Sequence, residues 1–573
     1  MDRLIEIINF SRIFADENYE DYLHRIKEIP RSLLVDSSTY LLSSQFNRAK
    51  FGNHTELLGK WFGQENNVLA NRINDKINNY VNESHKQVTI INTRASLTLF
   101  EMVLSNDNET HEISSADFEV LLFKIYLALN QQLDIKEVLL LQSAQDYPNY
   151  PNHISLAIGI SLPTFDINYD SINHVFVTQI VKAIYLFEFL NNREDTQKLL
   201  TDFYEKFQVN DFQDYLKKVF PIAFSIVSTN NEGKIDLVID SEDVDFESKC
   251  SFLDKMTINR DNYIEADVDV DYINLRANPL YKIDRNTYRI IYSLFAIEKN
   301  FNGLYFLLKE INDSYPKKEQ LHLREIITFD FSEKFLLYTL IEKSYPKRYF
   351  KLPGDMMKTP GAPDYYMRNG NKIFIFESKD VLINAQIKDS YDFAQYDAVL
   401  KEKLYFSLGV KNSNKAVKQL AGFSKTILNG SFKEDSNYKS KSAKIYPIII
   451  LHNRQLDIFG LNNLINIWFN SEIDDIKNEG IDTSNLKMPT IISIDTFIAM
   501  HERLGNKEFE LDDIIDKYQD WIDVNRLRKK KFKTEEESIN AHHELLIPFN
   551  VFFNAKYDWI PPDLFREKIN SIL

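Results

Sequence analysis

The sequence predicts a mixed α/β domain, a sheet flanked by helices, attached to a large and mainly helical N-terminal region. Three observations carry this reading. Apolar residues recur at helical spacing in Ser115–Leu133 and Asn173–Asn192. From about residue 321 to 500, helical patterns alternate with short apolar runs, the signature of an α/β layer architecture. Two of those runs, Ile373–Phe376 and the stretch Lys444–Leu451 (KIYPIIIL), are nearly continuous in apolar residues, as strands covered on both faces are.

At 573 residues the chain is too long for one hydrophobic core, and two to four domains are expected. Residues 1–235 read as helices interrupted by polar stretches such as Gln145–Asn152, with no fixed-period repeat. Residues 236–320 hold an acidic segment, two short strands around a polar turn in Asn278–Ile291, and a connecting helix over about 293–311. The polar stretch Asn312–Gln320 marks the main boundary. Residues 321–500 form the α/β domain, and 501–573 a helical extension whose last helix opens at Ile560–Leu564. The trio Asp267, Asp269 and Asp271 is spaced like a calcium loop. Tyr272 and Asn278 occupy the positions where such a loop needs Gly and Glu, so the segment reads as a solvated edge or loop.

Composition excludes several classes. Hydrophobic residues make up 44% and charged residues 27%, as in ordinary globular proteins. A single cysteine, Cys250, rules out an internal disulfide framework and fits a reducing cytosol. The N-terminus lacks the pattern of a signal peptide, and no apolar run reaches the length of a membrane span, so a cytoplasmic protein without a membrane partner is expected. No Walker A, dinucleotide-binding or zinc-ribbon motif is present. The net charge of −16 argues against a generic nucleic-acid coat, yet charge is uneven. Residues 401–444 hold ten lysines against Glu402, Glu434 and Asp435, a local +7; residues 236–271 hold twelve acids against three bases, a local −9. Arg526–Lys533 adds six bases in eight residues, read as a second contact or a solvated helix face.

The chemistry concentrates in Gly361–Asp380. Side chains of a strand alternate faces, so Glu377 and Lys379 share one face and Ser378 points away. Tyr365–Arg368 supplies a partner strand, and Asn369, Gly370 and Asn371 the turn. A Gly370-Asn371 loop sets Asp364 opposite Glu377; an Asn369-Gly370 loop makes it a diagonal neighbour. Both registers leave Asp364 on the face of Glu377 and Lys379. Two carboxylates converging at a buried strand end repel each other unless a cation lies between them. Mg2+ prefers one or two carboxylates plus waters and phosphate oxygens, and a nearby lysine can stabilise developing negative charge. The pattern therefore points to metal-dependent phosphodiester hydrolysis.

Pro363-Asp364 followed by Glu377-Ser378-Lys379 resembles the PD-(D/E)XK nuclease superfamily, over roughly residues 329–451. The resemblance implies a restriction-endonuclease-like core, a metal (Mg2+ or Mn2+) held by Asp364 and Glu377, and a catalytic role for Lys379 at the nucleophilic water. It also implies an acid on the preceding helix, for which Glu333 is preferred over Glu342, although Asp330 and Glu333 have capping-box spacing as well. On the helix after the strand it implies a polar residue, here Gln419. A large nuclease of this kind with a helical attachment resembles bacterial anti-phage defence effectors, and control by a regulatory protein partner or by homo-oligomerisation is expected. The basic stretch after the catalytic strand, with Lys415, Lys418 and Lys425, is the expected contact for nucleic acid, DNA foremost. The residues leave two alternatives open: a non-catalytic nucleic-acid-binding or scaffold protein, and an RNase.

Overall fold

The computed structural model describes residues 5–44, 53–109, 112–229, 233–260, 270–408, 413–527 and 530–572. The elements used below, in chain order, are α1 (Ser115–Gln145), α2 (Ile172–Asn191), α3 (Ile326–Leu337), α4 (Tyr338–Ser344), β1 (Phe350–Pro353), β2 (Tyr365–Asn369), β3 (Lys372–Lys379), α5 (Phe393–Leu404), α6 (Ala416–Leu428), β4 (Lys444–Leu451), α7 (Leu461–Asn478), β5 (Thr490–Ser493) and α8 (Ile494–Met500).

The mixed α/β expectation holds. Five strands form one sheet in the order β5-β4-β3-β2-β1. The pairs β5–β4 and β4–β3 are parallel; β3–β2 and β2–β1 are antiparallel. The two apolar runs become adjacent central strands, with Ile375 beside Pro447 and Lys379 beside Leu451. Pro447, which cannot donate to a ladder, precedes the start of pairing with β5 at Ile448. The hairpin β2–β3 pairs Asn369 with Lys372, and Gly370 turns the chain at a φ of +62°, a conformation suited to glycine.

Alternation along β3 sorts its side chains into two cores. Phe374 and Phe376 pack with α2, α4 and α8 residues on one face, while Ile373 and Ile375 pack with α5, α6 and α7 residues on the other. A third core, built largely from residues 8–129, lies in the N-terminal region. The cores do not follow the boundaries at 235, 320 and 500: helices α2, Gln197–Phe207 and Phe212–Ser228 share a core with Phe374, Ile448 and Ile492. Helix α1, about 46 Å long at the rise of an α-helix, buries Leu121–Leu129 in the N-terminal core and Leu140 and Ala144 in the sheet's second core.

The two short strands expected in 278–291 form as Leu280–Lys282 and Thr287–Ile290, antiparallel, with Asp236–Val238 as a third strand. The single connecting helix is instead two, Ser293–Glu298 and Asn302–Ser314. Asp267 and Asp269 lie outside the described residues. Asp271 is no solvated edge: Lys388 Nζ donates to it at 2.6 Å and to Asp166 at 2.9 and 3.0 Å, and Arg276 bonds both acids. Arg276 and Arg454 also reach Glu298. This buried network joins the helical region to the α/β region. Among the described residues no helix is long and apolar enough to cross a membrane.

Removing one member of a buried ion network strands the others. Lys388→Met, at a residue 2% exposed, is expected to cost about 3–5 kcal/mol. Lys425→Ala, from an exposed pair with Glu479, is expected to cost under about 1 kcal/mol. Urea unfolding of the two variants checks the contrast.

Candidate active site

The ladder β2–β3 ends at Tyr365 opposite Phe376, so the next pair in register is Asp364 and Glu377. This is the arrangement expected of a Gly370-Asn371 loop. Glu377 is 1% exposed and Asp364 is half-buried. The backbone N–H of Ser378 donates to Asp364 Oδ2 at 2.5 Å, and Lys379 Nζ donates to Glu377 Oε1 at 2.5 Å. Glu377 Oε2 is buried without a hydrogen-bond partner. Ser378 faces the other way, its hydroxyl 2.8 Å from His452 Nε2.

Glu333 joins this group, its carboxyl hydrogen-bonded to that of Asp364. Glu342 turns elsewhere, to Lys351 and the Tyr365 hydroxyl. The capping alternative for Glu333 does not apply: helical structure begins at Leu323, and Asp330 is paired with Arg193 at 2.9 Å. Glu333 sits in α3, a π-helix, whose wider turn was not foreseen from α-helical spacing.

Burial dominates the electrostatics. It pushes Glu377 up to about 8, with the Asp364 carboxylate adding repulsion and Lys379 opposing it. Burial and the Glu333 carboxyl push Asp364 up to about 7 against the pull of Lys379. Glu333 is raised mainly by burial. For Lys379, desolvation is outweighed by Glu377 and Asp364, and the ammonium is held above its ordinary value. Without a further cation, three acids thus face one lysine, and Asp364 and Glu377 keep protons toward neutrality.

Two residues missed in the sequence hold Asp364 in place. Gly354 donates its N–H to the Asp364 carbonyl at 2.8 Å and to Tyr338 Oη at 3.2 Å. A Cβ at Gly354 would meet the Asp364 and Pro363 carbonyl oxygens at 2.8 Å, both backbone. Tyr338 stacks edge-on against Tyr365, ring centroids 5.1 Å apart. The only sequence signal was a Pro-Gly pair ahead of the motif.

Helix α6 packs on the face from which Glu377 and Lys379 project, burying Val417, Leu420, Ala421 and Ile427. Gln419 is half-buried on this helix, and its Oε1 has no hydrogen-bond partner. The lysines fare unevenly. Lys418 pairs with Glu472 at 3.4 Å and Lys425 with Glu479 at 2.5 Å, so counting charge along residues 401–444 overstated the basic surface. Lys415, half-buried, has no carboxylate partner among the described residues. Lys444 enters β4 opposite Lys372, the end of β3 away from Lys379. Of Arg526–Lys533, residues 528 and 529 lie outside the described residues.

The donor set suits a hard cation in part. Asp364 and Glu377 offer two carboxylates, and the partnerless Glu377 Oε2 is an acceptor that burial makes costly to leave unused. No group of three or more His, Cys, Asp or Glu among the described residues is arranged as a complete metal site. Two carboxylates with waters are sufficient for Mg2+.

Because Asp364 and Glu377 bind protons more tightly folded than unfolded, the stability they contribute in EDTA is expected to be complete below about pH 4 and to be lost as pH rises through about 7 to 8. Thermal unfolding across this range checks it, and Glu377→Gln should flatten the slope. No protein-family model, no curated protein and no solved structure matches the chain.

Proposed function

We propose that this chain is a metal-dependent nuclease of the PD-(D/E)XK kind, with a restriction-endonuclease-like core around β1–β5, acting on DNA. The observation that supports this best is the direct opposition of Asp364 and Glu377 at the end of a central strand, with Lys379 bonded to Glu377 and one Glu377 oxygen left without a partner.

Asp364 and Glu377 would hold Mg2+ or Mn2+. Such an ion, when bound, neutralises the paired carboxylates and makes a coordinated water more acidic. The chain's own residues supply the rest. Lys379 presents a full positive charge, anchored by Glu377, where a scissile phosphate gains negative charge. The hydrogen bond from Ser378 N–H fixes one Asp364 oxygen. Glu333, bonded to Asp364, is a positioning residue for that carboxyl. Gln419 offers a buried amide oxygen on the helix covering the same face. In a protein of net charge −16, phosphate contacts depend on local cations, and Lys415 is the best placed of the three lysines because no carboxylate pairs with it among the described residues.

Purified protein with plasmid DNA and with RNA, in Mg2+, Mn2+ or EDTA, tests the proposal. Cleavage of DNA is expected with either metal and none with EDTA. Asp364→Ala, Glu377→Ala and Lys379→Ala should each lower the rate by about 100-fold or more. Cleavage of RNA alone would move the substrate class, and no metal-supported cleavage of either would favour the non-catalytic reading.

Gly354→Ala should slow cleavage by about 10-fold or more through displacement of Asp364, measured at temperatures where circular dichroism shows the variant folded, because its Cβ forces backbone to shift and lowers the unfolding midpoint as well. In filter-binding titrations, Lys415→Glu should weaken DNA binding and flatten its salt dependence, and Lys425→Glu should change neither.

A further inference from the structure

Behind the carboxylate cluster, on the opposite face of β3, lies a cavity of about 410 Å3. The helical region supplies much of its wall through Leu186, Phe295, Phe301 and Phe306. The α/β region supplies Ser332, Asp380 and His452. Its size and mostly apolar, aromatic lining are those of a small-molecule site. At its rim Phe306 is 58% and Leu382 37% exposed, so the apolar wall opens to solvent.

The charges facing the cavity leave cations over. Arg276 and Arg454 are engaged by Asp166, Asp271 and Glu298, and Lys182 pairs with Asp495 at 2.7 Å. Lys299 is different. It is 4% exposed, its Nζ donates to the Ala277 carbonyl at 2.5 Å, and no carboxylate lies within ion-pair reach among the described residues. Burial lowers it to about 8. A buried ammonium without a counter-charge is costly unless something compensates it. Its stem lies over Gly303, where a Cβ would meet Lys299 Cδ at 2.8 Å. Arg324, exposed at the cavity wall, likewise has no carboxylate partner among the described residues. Asp380 has no cation within ion-pair distance among the described residues, although Arg324 and Lys182 act on it from farther away; its Oδ2 accepts from Ser332 Oγ at 2.7 Å.

We infer that this cavity binds a small aromatic anion, its ring against Phe295, Phe301 and Phe306 and its negative group between Lys299 and Arg324. Ser332 immediately precedes Glu333 and Asp380 immediately follows Lys379, so an occupant bears on both elements that carry the carboxylate cluster. The binding claim stands apart from the nuclease reading. Regulation of cleavage rests on it, and the readouts below need neither metal nor activity.

The probe is 8-anilinonaphthalene-1-sulfonate, with N-phenyl-1-naphthylamine, the same ring system without the sulfonate, as its comparator. Fluorescence titration of the full chain is expected to give one saturable site for the sulfonate, bound at least 10-fold more tightly than the neutral amine. Lys299→Met and Arg324→Ala should each weaken the sulfonate at least 5-fold and leave the amine unchanged. Circular dichroism melts show whether each variant is folded; Arg324, being exposed, keeps the test usable if Lys299→Met is not. At saturation, hydrogen exchange in peptides from 326–344 and 372–380 should slow at least twofold. Equal affinity for the two probes, or sulfonate binding indifferent to both substitutions in folded protein, overturns the site. Unchanged exchange in those peptides overturns its coupling to the cluster.

Discussion

Glu377 leaves the central strand with its carboxylate almost wholly out of water, directly across from Asp364. Much else follows from that juxtaposition. Buried carboxylates at hydrogen-bonding range of one another cannot all ionise without a compensating charge. Lys379 compensates for part, by bonding Glu377, and Glu333 shares a hydrogen bond with Asp364. The remaining deficit is the partnerless Glu377 oxygen. The hairpin turn at Gly370, the close backbone approach at Gly354 and the wide turn of α3 all serve to hold these groups together against their mutual repulsion.

The helical region is part of the same body. It shares a core with the sheet, it is tied to the α/β region by the ions around Asp166 and Lys388, and it walls the cavity behind β3. A change at that joint reaches the carboxylates through two covalent neighbours, Ser332 to Glu333 and Asp380 to Lys379. Packed interfaces of this kind tend to adopt discrete arrangements, which is what a controlled site requires. Helix α1, seated in two cores, couples the far end of the N-terminal region to the same sheet.

The local features were legible in the sequence. The apolar runs at 373–376 and 444–451, the two-residue turn and the alternation of Glu377 and Lys379 follow from period and turn chemistry, and they sufficed to place Asp364 on the face of Glu377 and Lys379, leaving open whether it lay opposite or diagonal to Glu377. What was not legible depends on contacts between distant residues. Lys418 and Lys425 counted as free charge until Glu472 and Glu479 came beside them. Asp271 looked solvated because its partner Lys388 lies 117 residues away. The π-helical winding of α3 leaves no mark in apolar spacing, and Gly354 reveals its purpose only when the Asp364 carbonyl is seen against it.

The central claim is that Asp364 and Glu377 together form a divalent-cation site that is proton-filled until the cation arrives. Titration calorimetry of Mn2+ into the full chain, repeated at pH 6.5 and 8.5 in buffers of different ionisation enthalpy, measures it most directly. The account predicts binding that tightens with pH and releases more protons at pH 6.5 than at 8.5, because both acids are raised toward neutrality. Asp364→Asn and Glu377→Gln should each abolish it. Binding without proton release, or binding that survives both substitutions, would contradict the account.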